Sequence, residues 1–411
     1  MPVTQAFQND PDYTALCCGR SADPYAVYRR LRDEDPVHWS EGFNGFLLTR
    51  HADVYSALRD PRLPSGGRLA SYMDQLPLTV QQEVQPLREH YATWLVNLDP
   101  PDHTRLRTLV SKAFTPRVVE GLRGYIEQTS HALMDTARST GQIEFVGQFA
   151  QALPAKVISK MLGVPPQDSP QFERWSQVIS DFTGTGRPRP EMALAAQQAV
   201  NAMSQFVKQL TDQRRRQPCD DLLSGLVSVE ERGDKLSEHE LVGMCVFLLV
   251  AGHETTMCLL SNGLLALLQF PEQMQRLRDQ PEWMPAAVEE FLRYDSPLQH
   301  QVRTAREDLE ISGTRIQQGQ RVVLLLGAAN RDPEQFHEPD RLDIGRTPNH
   351  HLAFGLGIHY CIGAPLARLE AQVAFKVLLQ RVPNLRLLDP DVRWREHTSM
   401  RHPRQLHLAL S

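Results

Sequence analysis

One long apolar segment constrains the fold of this chain more than any other feature. Ser237-Glu238-His239-Glu240 is a capping box, in which a serine and a glutamate three residues later satisfy the free N–H groups of a helix start. The segment ends at Pro271, and about 33 residues at about 1.5 Å each predict a helix of about 50 Å. Because this helix is apolar on most faces, we expect it to be buried, so the chain must fold around it.

Shorter patterns complete a mainly α protein with a small β portion. Residues Gly42 to Thr49 alternate aromatic and aliphatic side chains around Asn44-Gly45, which predicts a hairpin. His51 to Asp60 has the pattern of a short amphipathic helix, and short β-rich pieces lie between Ile311 and Leu326. Prolines and glycines are scattered between the helical segments, without a repeat or a linker. We therefore expect one domain over residues 1–411.

Composition and charge exclude several classes of protein. The chain has 411 residues, of which 41% are hydrophobic and 23% charged, and its net charge of −5 gives no general attraction to nucleic acid or to an anionic membrane. Its six cysteines lack C-x-x-C spacing, which indicates a reducing compartment rather than a disulfide framework. There is no signal-peptide pattern, and the longest apolar run, Leu241 to Gly252, is shorter than a membrane span. We expect a soluble, cytoplasmic protein.

The strongest chemical signal surrounds Cys361. The stretch Phe354-Gly355-Leu356-Gly357-Ile358-His359-Tyr360-Cys361-Ile362-Gly363 places one thiol among glycines that let the backbone come close to a ligand. A zinc site needs three further ligands, and the nearby candidates are His350, His351 and His359 alone. Haem iron takes a single protein ligand on its proximal side, and a thiolate can serve. An isolated cysteine is usually a small buried hydrophobe, but these neighbours favour a haem ligand.

The same stretch resembles the haem-binding loop of the cytochrome P450 monooxygenases, and it matches that loop at every diagnostic position. The resemblance extends over about residues 25 to 400 and implies the single, triangular, mainly helical domain of that family. It places haem b between the 238–270 helix and the 354–363 loop. Cys361 would be the axial thiolate, Phe354 would pack over the sulfur, and N–H groups near Gly363 would tune the redox potential.

Polar residues interrupt the long helix at Ala251-Gly252-His253-Glu254-Thr255-Thr256. Buried polar groups are costly unless they are satisfied or used, and a hydrogen bond from Thr255 to the carbonyl of Ala251 would satisfy one of them. The pattern indicates either a local kink without function or a site in which the Thr255 hydroxyl opens the helical ladder beside Ala251 and Gly252 and so leaves room for dioxygen or water. It resembles the acid–alcohol pair of the P450 distal helix, which implies that Glu254 and Thr255 manage protons there.

Haem carries two propionates, which need cationic partners. His103 and Arg107 lie four residues apart on one helical face, Arg303 lies in Gln301-Val302-Arg303, and His359 lies two residues before the cysteine. Each of these side chains alone is more typical of a solvated surface. All four, however, fall on positions that the P450 family uses for the propionates.

Two helices suggest roles outside the cavity. Glu290 and Arg293 are spaced to pair on one helical face, and they resemble the Glu-x-x-Arg pair that braces the loop behind the haem. Residues 328–340 resemble the meander of the same family. The helix opened by His103 also carries Arg105, Lys112 and Arg117, which predicts a docking face for an acidic ferredoxin or flavodoxin-type donor with its reductase. Arg105 and Arg306 are interpreted as surface charges.

The implied reaction is the insertion of one oxygen atom from dioxygen into a C–H or C=C bond, while the second oxygen atom leaves as water. Three alternatives remain at this stage: a peroxide-driven peroxygenase, a haem-binding sensor without turnover, and an oxidative-coupling enzyme. The acid–alcohol pair argues against the first two, whereas the motifs leave the third open. Activity with peroxide as the sole oxidant would identify the first.

The substrate is predicted to be a hydrophobic small molecule, since the pocket walls have few fixed polar groups. A polyketide or macrolide, a terpenoid or steroid, and a fatty acid fit equally well. The predicted walls are Pro61–Glu89, Asp181–Arg189, Phe247–Thr255, Pro297–Val302 and Thr398–Met400.

Overall fold

The computed structural model describes residues 10–17, 23–138, 141–184, 188–231 and 236–410. Within these ranges the helices are α1 Pro11–Cys17, α2 Pro24–Glu34, α3 His51–Ala57, α4 Arg68–Met73, α5 Leu78–Glu83, α6 Gln85–Ala92, α7 Asp102–Ala113, α8 Pro116–Gly121, α9 Arg123–Arg138, α10 Ala152–Met161, α11 Ser169–Gly184, α12 Pro190–Arg216, α13 Leu222–Glu231, α14 Glu238–Gln269, α15 Pro271–Asp279, α16 Met284–Tyr294, α17 Leu326–Ala329 and α18 Ala364–Arg381. The strands are β1 Val37–Ser40, β2 Gly45–Leu48, β3 Gln142–Glu144, β4 Gln301–Thr304, β5 Leu309–Ile311, β6 Thr314–Ile316, β7 Arg321–Leu324, β8 Leu385–Leu387 and β9 His407–Leu410. The predicted fold class, mainly α with a small β portion, is confirmed.

Helix α14 is the central element, and both of its predicted ends are observed. Ser237 and Glu240 form the capping box, and the helix ends just before Pro271. By length and composition alone α14 could cross a bilayer, but 78% of its most apolar window is buried inside the protein. Helices α10, α12, α16 and α18 pack around it. The chain therefore uses α14 as a core helix, and apolar burial on several sides holds it in place.

Strand β4, which contains Arg303, lies at one edge of a four-stranded sheet in the order β1-β2-β7-β4. The predicted hairpin is present, but it lies earlier than expected: its strands are β1 and β2, and the turn between them ends at Asn44, whose φ is +48°. The prediction began at Gly42 and so missed β1, although Val37-His38-Trp39-Ser40 does alternate apolar and polar residues. Pairing of β2 with the distant β7 stabilises the hairpin, and local sequence does not report that contact.

The stretch from Pro61 to about Glu89 is more regular than the sequence suggests, since it contains α4, α5 and most of α6. These helices are too short to show a clear period, and tertiary packing of Met73, Leu76 and Leu87 in the main core stabilises them. The amphipathic helix predicted from His51 is confirmed as α3. In the second irregular patch, from Thr183 to Pro190, residues 185–187 lie outside the described residues.

Candidate active site

A cavity of about 230 Å³ lies between α14, α7 and the loop of residues 354–363, and we call it the central cavity. The predicted site residues in its wall are His103, Arg107, Ala251, Gly252, Thr255, Phe354, His359, Cys361 and Gly363. Leu95, Phe247, Leu248, Leu298 and Leu366 are among its apolar lining residues. The structure thus brings nine of the eleven predicted residues to one space, and it places Glu254 and Arg303 outside the wall.

Cys361 is presented by a tightly closed loop. Its N–H donates to the carbonyl of Phe354 (2.9 Å), and Arg107 donates to the carbonyl of Tyr360 (2.7 Å). Gly355 and Gly357 have φ values of +69° and +70°, a backbone conformation that glycine adopts without strain. The loop therefore depends on glycine at these positions to turn the thiol toward the cavity.

The surroundings of the Cys361 thiol shift its pKa in opposite directions. Burial raises the pKa of Cys361, while the N–H groups of Gly363 and Ala364 and the guanidinium of Arg107 lower that pKa. Backbone N–H groups aimed at sulfur stabilise a thiolate. Among the residues that the structure describes, no three His, Cys, Asp or Glu side chains are grouped as metal ligands. This arrangement suits a group that takes one protein ligand.

Glu290 and Arg293 form a fully buried ion pair on α16, in which both side chains are 0% exposed. Arg293 donates both to Glu290 (2.8 Å) and to the carbonyls of Asn330 (2.9 Å) and Pro339 (2.8 Å). Arg346 also donates to Glu290 (3.2 Å). The pair therefore ties α16 to the chain that leads into the cysteine loop.

A second brace, which the sequence analysis missed, starts at the neighbouring Glu289. Arg368 of α18 donates to both oxygens of Glu289 (2.7 and 2.8 Å) and to the hydroxyl of Tyr360 (3.1 Å), and His351 lies 3.0 Å from the same carboxylate. The guanidinium of Arg368 also lies 4.6 Å from the ring centre of Phe354. These partners are distant in sequence, so spacing alone carries no signal for this contact.

Cationic groups gather at one edge of the central cavity without enough anions to pair with them. The rings of His103 and His359 are 4.3 Å apart, and both nitrogens of His103 and Nε2 of His359 are buried without a hydrogen-bond partner. Burial, together with repulsion from His103, Arg303, Arg68 and Arg107, lowers the pKa of His359 to about 3. Orphaned buried donors next to arginines fit a ligand with carboxylates, which is what the propionates of haem provide.

Arg303 lies behind this edge rather than in the cavity wall. It is 2% exposed and donates to the carbonyl of Val302 (3.0 Å) and to the side-chain oxygen of Gln301 (2.9 Å). The two arginines interpreted as surface charges are exposed: Arg306 lies 3.8 Å from Asp99, and Arg105 pairs with Glu240.

Thr255 faces the central cavity from the middle of α14. Its hydroxyl donates to the carbonyl of Ala251 at 3.1 Å, as expected. The expected opening of the helical ladder is absent, because α14 is continuous from Glu238 to Gln269. A side chain on Gly252 would bring its Cβ to 2.9 Å from Ile158, so this glycine permits α10 to pack closely.

Glu254 points away from Thr255, toward α11. It is 1% exposed, its Oε2 accepts a hydrogen bond from the hydroxyl of Ser180, and its Oε1 is buried without a partner. Burial raises the pKa of Glu254. Next to Ser180, Asp181 pairs with Arg395, and both of these residues line a wide outer cavity of about 730 Å³. Glu254 therefore lies between the central cavity and a second, solvent-accessible space.

Glu370 is a site residue that the sequence analysis missed. It lines the central cavity from α18, it is 0% exposed, and both of its carboxylate oxygens lack a hydrogen-bond partner. Burial raises its pKa well above the usual range. The signal was its position: Glu370 lies four residues after Leu366 in a helix that is buried on most sides, where a carboxylate is costly.

The predicted substrate walls are confirmed only in part. Residues from 247–255 and 297–302 line the central cavity, whereas the segments 61–89 and 398–400 do not. The described residues of 181–189 do not line it either, and Asp181, Gly184 and Arg189 line the outer cavity instead. Instead, Tyr72 of α4 donates to the carbonyl of Phe182 in α11 (2.6 Å). Met400 pairs with Leu298 and so lies behind the wall. Helices α4 and α11 thus contact each other outside the cavity wall, and we call this pair of helices the roof. Leu95 and Val96 supply the lining that the sequence analysis assigned to residues 61–89.

Comparison with known proteins gives a consistent result. A family model described as Cytochrome P450 matches residues 84–385. The polyketide biosynthesis cytochrome P450 PksS of Bacillus subtilis (strain 168) is 40% identical over 95% of this chain and 96% of its own length. The mycinamicin IV hydroxylase/epoxidase of Micromonospora griseorubida is 41% identical, with 92% and 94% covered. The crystal structure of P450BioI in complex with a hexadec-9Z-enoic acid ligated acyl carrier protein has a TM-score of 0.86 at 38% identity, with 94% and 98% covered.

Proposed function

We propose that this chain, which belongs to the cytochrome P450 family, inserts one oxygen atom of dioxygen into a C–H or C=C bond of a hydrophobic small molecule. Family membership makes it a monooxygenase that uses haem b. The observation that carries the finer proposal is the placement of the Cys361 thiol and the Thr255 hydroxyl in the wall of one largely apolar cavity. When bound, haem supplies the activation of dioxygen, and the side chains described below hold it and move protons.

Cys361 would be the axial ligand, with its charge stabilised by the N–H groups near Gly363. His103, Arg107, Arg303 and His359 would pair with the propionates, and Phe354, braced by Arg368, would shield the sulfur. Ala251 and Gly252 would face the other side of the cofactor. Each role rests on the position of the side chain relative to the central cavity.

Protons would reach the cavity through Glu254 and Thr255. The buried carboxyl of Glu254 is in contact with Ser180, and Ser180 adjoins the ion pair that lines the outer cavity. A carboxyl with a raised pKa can hold a proton at neutral pH and release it when its surroundings change. Glu254 would take protons from the outer cavity and transfer them, through water, to the hydroxyl of Thr255, which keeps its own oxygen in place by bonding Ala251.

The substrate is inferred to be hydrophobic because leucine, phenylalanine and isoleucine side chains line most of the cavity above Thr255. A polyketide or macrolide, a terpenoid or steroid, and a free fatty acid all remain consistent with this wall. One observation favours a further candidate, since P450BioI is similar to this chain and was solved with a fatty acid attached to an acyl carrier protein. An acyl chain delivered on a carrier protein is therefore our second candidate.

Electrons would come from a separate acidic ferredoxin or flavodoxin. Lys112 and Arg117 are exposed, but Arg117 lies on α8 and not, as predicted, on the helix of His103, which ends at Ala113. Lys112 lines a shallow depression of about 550 Å³ that also includes Ile358, which is 50% exposed. This depression adjoins the cysteine loop, and an exposed apolar residue next to cations suits a weak, charge-steered contact. Lys112→Glu should slow reduction by an acidic ferredoxin about tenfold at low salt, with little change at high salt. The matched control is Lys160→Glu, which alters an exposed lysine on α10.

The deciding experiment uses dioxygen labelled with heavy oxygen, together with NADPH, a ferredoxin and its reductase. Candidate substrates are first chosen by the shift they cause in the ferric Soret band, and each fatty acid is tested both free and attached to an acyl carrier protein. We expect one labelled oxygen atom in the product. Efficient product formation with hydrogen peroxide as sole oxidant would instead assign a peroxygenase, and a coupled product without new oxygen would assign oxidative coupling. Haem binding without turnover of any of these substrates would assign a sensor.

We also infer that residues 1–411 act as one cytoplasmic domain. The main core cluster draws on residues from Met73 to Leu408, which argues against separable halves. Cys219, Cys245, Cys258 and Cys361 are free among the described cysteines, and free thiols are typical of a reducing compartment.

A further inference from the structure

Arg68, at the start of α4, is a cation without a charged partner. Its Nε donates to the side-chain oxygen of Asn97 at 3.1 Å. Within the described ranges, no carboxylate pairs with its guanidinium. A neutral amide satisfies one of the five N–H donors of an arginine and none of its charge. Arg68 therefore has capacity to bind an anion.

The backbone around Arg68 is attached to the segment that precedes α7. Ser65 and Gly66 donate their N–H groups to the two oxygens of Asp99 (2.9 and 3.1 Å). The N–H of His103 donates to the carbonyl of the same Asp99 (3.0 Å). These bonds occupy the carboxylate of Asp99, and they align Arg68 with the helix that carries His103 and Arg107.

Helix α4 also packs against β4, the strand that carries Arg303. Repulsion from Arg68, added to burial, lowers the pKa of Arg303 to about 9, and burial lowers the pKa of Arg68 itself to about 10. Arg303 is buried and Arg68 is partly buried, so water screens the repulsion between the two guanidinium groups only in part. Cations in such a position are stable only when an anion joins them.

Charge counting identifies the kind of anion. Arg68, Arg107 and Arg303 contribute three positive charges, and the one carboxylate identified near them, Asp99, already bonds Ser65 and Gly66 and lies 3.8 Å from Arg306. Carboxylates of a ligand would offset this excess of positive charge, and haem b, the cofactor of this family, carries two propionates. The His103–His359 pair at the same edge, with its orphaned nitrogens, marks the direction from which these carboxylates would approach.

We propose that Arg68 is a positioning residue that pairs with a haem propionate and thereby couples the roof of the substrate cavity to the bound cofactor. Because α4 holds α11 through Tyr72 and the carbonyl of Phe182, the propionate contact would order both helices. This proposal rests on the cofactor placement given under Proposed function, but not on the reaction proposed there.

The test measures haem retention in the full-length protein. Arg68→Gln should release haem to an excess of apomyoglobin on the order of tenfold faster than the wild type, since a charge-assisted pair is lost. Arg68→Lys should release haem at an intermediate rate, because lysine keeps the positive charge but cannot donate two parallel hydrogen bonds to one carboxylate. Arg88→Gln, which removes a partly exposed arginine of the adjacent helix α6 that pairs with Asp74, should match the wild type. Hydrogen exchange of residues 65–73 in the holoprotein should rise in Arg68→Gln alone.

Two further arms distinguish a propionate contact from a purely structural role of Arg68 and from a contact with substrate. With haem whose propionates are esterified, Arg68→Gln and the wild type should lose the cofactor at the same rate. If Arg68 only supports α4 through Asn97, then Asn97→Ala would release haem as fast as Arg68→Gln, and the proposal would be wrong. Unchanged haem loss in Arg68→Gln, with weaker binding of a fatty acid but not of a neutral steroid, would assign Arg68 to a substrate carboxylate instead. A haem-retention effect in a protein without monooxygenase activity would overturn the proposed function and leave this proposal intact.

Discussion

The two sides of the central cavity are built differently. On the side of the cysteine loop, Arg293 and Arg368 bond to paired carboxylates and to groups of the loop and the chain that leads into it. On the side of α14, the wall is apolar, and Thr255 bonds only within its own helix. Hydrogen bonds demand one geometry, whereas apolar packing tolerates substitutions that conserve volume. The loop side therefore determines which cofactor is held, and the α14 side leaves the choice of substrate to side-chain shape.

The largest effect is expected at the loop side from Cys361→Ala. Without Cys361 no thiolate can bind the iron, since no other described cysteine lines the central cavity. The red-shifted band of the reduced carbon monoxide complex should disappear, and monooxygenation should fall to background. A retained band would contradict the whole assignment. Cys258→Ala, at a buried cysteine of α14 outside the cavity, is the matched control.

Breaking the brace behind the loop should cost stability next. Arg293→Ala leaves the buried Glu290 without its main partner, and we expect the free energy of unfolding to fall by about 3–5 kcal/mol, with loss of haem at lower urea concentration. Arg293→Lys should not restore stability, because lysine cannot donate to both Glu290 oxygens and to the carbonyls of Asn330 and Pro339. The control is Arg341→Ala, since Arg341 is exposed and pairs at the surface with Glu338. Equal urea midpoints for the two alanine variants would show that the brace is not stabilising.

On the α14 side, Thr255→Ala should alter chemistry and leave stability nearly unchanged. The variant removes a hydroxyl that bonds only to Ala251, so haem and substrate binding should persist. Electron consumption should exceed product formation severalfold, with the excess found as hydrogen peroxide, because proton delivery is impaired. Thr255→Ser retains the hydroxyl and should stay coupled. If alanine and serine variants couple equally well, Thr255 has no part in proton delivery.

Glu370 is the exception on the loop side, because its buried carboxyl has no hydrogen-bond partner. Replacing Glu370 should have the smallest effect of these variants, and at acidic pH it should change the free energy of unfolding least. The raised pKa means that the native state keeps a proton which the unfolded chain loses above about pH 4.5. This group alone therefore lowers the free energy of unfolding by about 1.4 kcal/mol per pH unit as the pH rises above that value. Glu370→Gln does not titrate, so its stability relative to the wild type should increase from about pH 5 to about pH 7 in urea titrations.

The control for Glu370→Gln is Glu127→Gln, at an exposed glutamate of α9. That variant should follow the wild-type pH profile. Parallel pH profiles for all three proteins would mean that Glu370 ionises normally within the fold, and that the two sides of the cavity differ less than the hydrogen bonds suggest.

Local patterns were sufficient for part of this structure. The capping box at Ser237, the amphipathic helix at His51 and the i, i+4 spacing of His103 and Arg107 all concern neighbours in sequence, and the helices appear where expected. The predictions failed where short elements depend on distant partners. Strand β1 has only four residues and is completed by a sheet that includes β7. Helices α4 to α6 are too short to show a clear period, and the main core holds them in place.

By itself, the sequence determined the buried central helix, the closed loop around Cys361 and the family to which both belong, because glycine conformations, helix caps and apolar periodicity act over a few residues. Only the tertiary structure decided where the charged side chains point. Glu254 turns to Ser180 rather than to the cavity, the helix of Arg68 packs against the strand of Arg303 more than two hundred positions away, and Glu370 is enclosed without a hydrogen-bond partner. These outcomes depend on which helices pack together, and packing joins residues whose separation along the chain carries no information about their contact.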